Sequence, residues 1–93
     1  MIQVVKRDGE NAEFSLNKIT EAIKKAFKAT KKDYNNEILE LLSLRVTADF
    51  QDKMKEGMIS VEEIQDSVEH VLEQTGYTDV AKDYILYRKQ REK

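Results

Sequence analysis

A chain of 93 residues holds one domain and hardly two, and 16 basic against 18 acidic residues leave a net charge of −2, which argues against a nucleic-acid binder held by general electrostatics. There is no cysteine and a single histidine, His70, so disulfides, catalytic thiols, zinc–thiolate sites and multi-histidine metal sites within one chain are excluded. Apolar runs are only a few residues long and the N-terminus lacks the apolar block of a secretory signal, so the sequence reads as a soluble, cytoplasmic protein without a membrane span.

Residues 2–15 predict a β-hairpin around Asp8-Gly9, a dipeptide suited to tight turns because glycine tolerates positive φ. A loop of two residues (Asp8, Gly9) or of four (through Asn11) gives the same side-chain parity. Val5, Ala12 and Phe14 then share one face with Arg7, and Val4, Lys6 and Glu13 share the other. A hairpin alone is marginal and must lie on something. Residues 16–30 predict a helix capped by Ser15 or Asn17, with Leu16, Ile19, Ile23, Ala26 and Phe27 as its apolar stripe and Lys24, Lys25 and Lys28 off it. "TKKDYNN", residues 30–36, has the composition of a loop.

A second helix is expected over 36–55, ended by Gly57, with Ile38, Leu39, Leu41, Leu42, Val46 and Phe50 as a broad apolar surface. "MIS" before the next helix offers a third short strand. Ser60, Val61, Glu62 and Glu63 fit a capping box opening a helix over 61–75. Val61, Ile64, Val68, Val71 and Leu72 form its inner face, His70 lies off that stripe, and Gly76 closes it. A last helix over 78–92, capped by Thr78 or Asp79, turns Val80, Ala81, Tyr84, Ile85 and Tyr87 inward and carries Arg88, Lys89, Arg91 and Lys93 in its last turns, where cations suit the helix dipole. The fold class is therefore α+β, mainly α: a four-helix bundle capped by a small hairpin or three-stranded sheet.

Three blocks in this order resemble the ATP-cone, a family of regulatory nucleotide-binding domains. The first is Val4-Val5-Lys6-Arg7-Asp8-Gly9, followed by Phe14 and by Lys18-Ile19. The second is "ISVEEIQDSVEHVL", residues 59–72, and the third "VAKDYILYR", residues 80–88. The resemblance covers essentially the whole chain. It implies a bundle under a β cap, with ATP or dATP bound between cap and helices as an allosteric ligand, accompanied by Mg²⁺. It implies that Lys6 and Arg7 form a basic pair in the hairpin, that Lys18 holds phosphate, that Val4 and Ile19 line the nucleotide, that Gln65 is a polar contact, and that Lys89 is a C-terminal cation reaching phosphate. ATP-cones sit on ribonucleotide reductase catalytic subunits, where ATP permits activity and dATP favours an inhibited, often differently assembled state. They also occur in a zinc-ribbon repressor of reductase genes. The cysteines of that repressor and the large catalytic domain of a reductase are both missing from this chain. The resemblance thus implies a regulatory domain, excised or free-standing, rather than an enzyme. Its partners are an adenine nucleotide, a reductase catalytic domain or subunit, and a second copy in a nucleotide-dependent homo-oligomer.

The residues support this physically. Two hairpin cations and Lys18 at a helix start can converge on a triphosphate, and the helix N–H groups add anion donors. One cation about 4 Å from a phosphate oxygen contributes roughly 4 kcal/mol at an effective dielectric near 20, before desolvation. Two or three such contacts support micromolar binding after ordering costs. Tyr84 and Tyr87 read as core and rim aromatics, with Tyr84 able to flank the adenine. The three glycines form no P-loop, so hydrolysis by that machinery is excluded. The competing readings are a solvated hairpin tip in which Lys6 or Arg7 pairs Asp8 or Glu10, a helical protein–protein interaction module with no nucleotide, and nucleic-acid binding by the basic tail "YRKQREK".

Overall fold

The computed structural model describes residues 2–91. Two strands come first, β1 (Gln3–Val5) and β2 (Asn11–Glu13). Helices α1 (Leu16–Thr30) and α2 (Asn36–Phe50) follow, then a 3-10 turn over Gln51–Lys53. Strand β3 (Met58–Ser60) leads directly into α3 (Val61–Gln74), and α4 (Thr78–Arg91) completes the bundle. Residue 92, where the last helix was expected to end, and Lys93 lie outside the described residues.

The hairpin loop has three residues, not two or four. Lys6 N–H donates to Glu10 C=O at 2.8 Å and Gly9 N–H to Lys6 C=O at 3.0 Å, leaving Arg7, Asp8 and Gly9 in the loop. Gly9 takes φ +89°, and the Asp8 carboxylate accepts the Glu10 N–H at 3.0 Å. An odd loop shifts the register by one and corrects the expected faces. Val4 pairs directly with Ala12, so Val4, Lys6, Ala12 and Phe14 share a face, and Val5 lies opposite with Asn11 and Glu13.

The sheet runs β2-β1-β3, with β1 antiparallel to β2 and parallel to β3. Placing β3 there explains why α2 ends five residues earlier than expected. The chain must leave the bundle and reverse before reaching the sheet. It does so through the 3-10 turn and a tight turn in which Lys55 and Met58 exchange backbone hydrogen bonds of 3.0 and 2.9 Å. Glu56 (φ +53°) and Gly57 (φ +76°) both adopt left-handed backbone, as a two-residue turn of this hand requires.

The core gathers Ile19, Ile23, Ala26 and Phe27 of α1 with Leu39, Leu42, Val46 and Phe50 of α2. Ile59 of β3, Ile64, Val68, Val71 and Leu72 of α3, and Val80, Ala81 and Tyr84 of α4 complete it. Leu41 is not part of it. It is 58% exposed, as Leu44 is at 57%, because a helix packed between α1 and α3 buries one broad stripe and Leu41 falls outside it. Leu16, Val61, Ile85 and Tyr87 are only partly buried or at the surface. The cap is tied to the bundle by an edge-to-face pair of Phe14 and Phe50, 5.6 Å between ring centres.

Candidate functional site

Beneath the hairpin lies an open cavity of about 460 Å³, within the ~300–1,000 Å³ range of small-molecule pockets. Its roof is Val4, Ala12, Glu13 and Phe14, and its floor is Ile19 and Ala22 of α1 with Val61, Ile64 and Val68 of α3. Tyr84 and Tyr87 of α4 form one wall, their ring centres 6.4 Å apart. Lys6, Arg7, Ser15, Lys18 and Gln65 add polar groups to this apolar lining. Three cations therefore border a mainly apolar pocket.

The start of α1 opens onto this cavity. Ser15 occupies the cap position but its side chain makes no capping hydrogen bond, and the first turn of α1 holds no acidic residue. By contrast, Asn35 caps α2 by accepting the Ile38 N–H at 2.8 Å, and Ser60 and Glu63 form a full capping box on α3. The N-terminus of α1, with Lys18 in its first turn, thus presents backbone donors and positive charge beside the cavity.

Arg7 reaches across from the hairpin tip to α3. Its Nε donates to Glu62 Oε1 at 3.1 Å and its Nη2 to Gln65 Oε1 at 3.0 Å. Both of these contacts tie the hairpin tip to residues of α3, 55 and 58 positions away in the chain. Tyr84 is buried, and that burial pushes its phenol well above its ordinary value, so it stays neutral as a wall of the cavity. One turn later Arg88 donates to Asp66 at 2.8 Å and to Glu69, which fixes α4 against α3. Burial works against the Arg88 charge, but these two carboxylates overcome it and raise the guanidinium above its usual range.

Seven of the eight residues singled out in the sequence border this one cavity: Val4, Lys6, Arg7, Lys18, Ile19, Gln65 and Tyr84. The eighth, Lys89, is exposed on α4 and is not part of the lining. Sequence reasoning placed Val61, Ile64 and Val68 on the inner face of α3 without saying that part of that face is open, and it did not single out Ala22. It also left Glu13 and Tyr87 out of the site. The tail expected to compete as a nucleic-acid patch has one of its cations, Arg88, committed to Asp66 and Glu69. His70 is exposed and meets Asp49 of α2 at 3.1 Å. No helix among the described residues is long and apolar enough to cross a membrane.

The family model for the ATP cone domain matches residues 2–93. The chain is 43% identical to the ribonucleoside-diphosphate reductase subunit alpha of Chlamydia pneumoniae, across 98% of this chain and 9% of that protein. It is 47% identical to the vitamin B12-dependent ribonucleoside-diphosphate reductase of Thermoplasma acidophilum, across 96% of this chain and 12% of that protein. It is 36% identical to the anaerobic ribonucleoside-triphosphate reductase of Haemophilus influenzae, across 96% of this chain and 12% of that protein. The chain thus spans about a tenth of the length of these relatives. A β cap of three strands on four helices, with the basic hairpin set over a cavity and matching the family from end to end, makes this chain a member of the ATP-cone family.

Proposed function

We propose that this domain senses adenine nucleotides by binding ATP or dATP in the cavity under the hairpin, as a regulatory domain working with a ribonucleotide reductase. One observation carries the reading: Lys6, Arg7 and Lys18, distant in the hairpin and α1, converge on the border of one apolar-floored cavity. The apolar lining of Val4, Ile19, Ile64 and Val68, walled by Tyr84, suits a purine. The three cations and the uncapped start of α1 suit its phosphates. Gln65 adds a polar contact beside Arg7. Lys89 is exposed on α4 two residues beyond the wall residue Tyr87 and meets phosphate only if its side chain folds back toward the cavity.

Among the described residues no three His, Asp or Glu side chains gather into a metal-holding group. A magnesium ion that travels with the triphosphate takes most of its ligands from phosphate oxygens. The regulatory output requires the two nucleotides to favour two states of the domain differently, since tight binding alone shifts nothing. The partner in that output is a reductase catalytic domain or subunit, or a second copy of the domain in a nucleotide-dependent oligomer. The relatives' reductase names support the first.

The test is thermal. ATP or dATP with magnesium, at about 100 times its dissociation constant, stabilises the fold by about 2.7 kcal/mol, which raises Tm by about 10 °C or more for a domain of this size. Replacing Lys6, Arg7 and Lys18 together by neutral residues abolishes the rise in a protein that still unfolds cooperatively. An unchanged rise in that variant defeats the reading. A second reading, a helical interaction module without a nucleotide, draws on the exposed Leu41 and Leu44 of α2. It expects no thermal shift with either nucleotide.

A further inference from the structure

Arg7 binds the hairpin tip to the first turns of α3 through Glu62 and Gln65. Gln65 borders the cavity, whereas Glu62 stands outside its lining. A carboxylate outside the pocket therefore engages one of the three cations inside it. The side chains of this ion pair are 35% and 42% exposed, so solvent screens it and it exchanges readily. The guanidinium presents carboxylate and phosphate with the same fork of N–H donors, and the Nε that a phosphate would use is already given to Glu62. Glu62 also lies in the acidic first turn of α3, beside Glu63.

We propose that Glu62 is an internal competitor for Arg7: it holds the arginine while the cavity is empty and yields it to phosphate when nucleotide binds. Glu62 thereby sets the affinity of the domain, and phosphate capture is coupled to release of the hairpin tip from the start of α3. Gln65, a neutral acceptor, holds the arginine near the cavity through the exchange. The inference rests on the nucleotide reading above and adds to it a residue that weakens binding rather than making it.

Titration calorimetry of the whole chain with Mg-ATP tests it. Glu62→Gln binds about fivefold more tightly than the wild type at low salt, and the gain shrinks as salt is raised. In an Arg7→Ala background the same change at residue 62 alters nothing, because its target is gone. A folding defect in Glu62→Gln would weaken binding, the opposite direction. Equal affinities of wild type and Glu62→Gln overturn the competitor and leave the nucleotide reading standing. No binding by either overturns both. A gain that persists undiminished without Arg7 reflects removal of a charge alone and overturns the competitor. Where Arg7→Ala binds too weakly to titrate, the Arg7 Nε–H proton resonance decides. It shifts in the wild type on saturation with ATP, and a stationary resonance overturns the proposal.

Discussion

Tyr84 shows how one residue can belong to a core and to a site at once. It sits in α4 one turn before Arg88, is 4% exposed, and yet borders the cavity. Burial raises its phenol, with the nearby Glu69 and Asp66 carboxylates adding to the rise and Arg88 opposing it. The folded protein therefore keeps the proton where the unfolded chain loses it, near the ordinary value of 10.0. The stability that the neutral buried phenol contributes is fully present below pH 10 and drains away as pH rises beyond it. We expect the wild type to lose urea resistance above pH 10 more steeply than Tyr84→Phe, measured as unfolding midpoints from pH 8 to 11. Equal slopes would show that Tyr84 does not couple folding to this proton. The cations of the candidate site stand out in the sequence against an apolar periodicity, and the structure brings Lys6, Arg7 and Lys18 to the border of one cavity. The faces of the hairpin were not legible: Val4 and Lys6 were placed opposite Ala12 and Phe14, and the structure puts all four together. Loops of two and four residues share a parity that a three-residue loop breaks, and Asp8-Gly9 is compatible with any of them.

At the scale of elements, local signals held where one residue type has one job. α1 runs over the expected residues 16–30, and the capping box on α3 is as read, with Ser60 Oγ accepting the Glu63 N–H at 3.1 Å and Glu63 Oε1 accepting the Ser60 N–H at 3.2 Å. They failed where a long-range pairing decides. The end of α2 is set by the need to deliver β3 beside β1, which no residue near Phe50 encodes. Ser60 joins both levels, as the last residue of β3 and the cap of α3. Its backbone pairs with Val5 while its hydroxyl serves the helix. Ser60→Ala leaves the strand pairing and removes the hydroxyl, at a cost of about 1 kcal/mol, or roughly 4–8 °C in Tm for a domain of this size. Ser60→Asp keeps an acceptor at the cap, and recovery of most of that loss in a melting series identifies capping as the cause. If Ser60→Asp melts as low as Ser60→Ala, the cap is not what the serine contributes.

For the molecule as a whole, stability is divided unevenly between the bundle and its cap. The core draws on all four helices and on Ile59. β1 and β2 are three residues each and no residue of theirs is fully buried. The hairpin is held by its pairing to β3, by Phe14 against Phe50, and by the exposed Arg7 contacts. Such a segment opens locally at a lower free energy than the whole domain unfolds. A ligand in the cavity touches hairpin, α1, α3 and α4 at once, so it closes the cap onto the bundle and abolishes openings that leave the helices intact. Hydrogen exchange separates this from stabilisation elsewhere. The Lys6 N–H, bonded to Glu10 C=O, and the Phe14 N–H, bonded to Ile2 C=O at 3.0 Å, report the hairpin. Without nucleotide they exchange by local opening, faster than amides in the middle of α2. With saturating Mg-ATP their protection rises toward that of α2, and the gap between the two sets closes. A second hollow lies between α1 and α4, bordered by Lys25, Ala29, Asp83 and Leu86. A nucleotide seated there would raise Tm and slow exchange in α2 through global stability while the hairpin amides kept opening at their ligand-free rate. That pattern would place the ligand outside the cap.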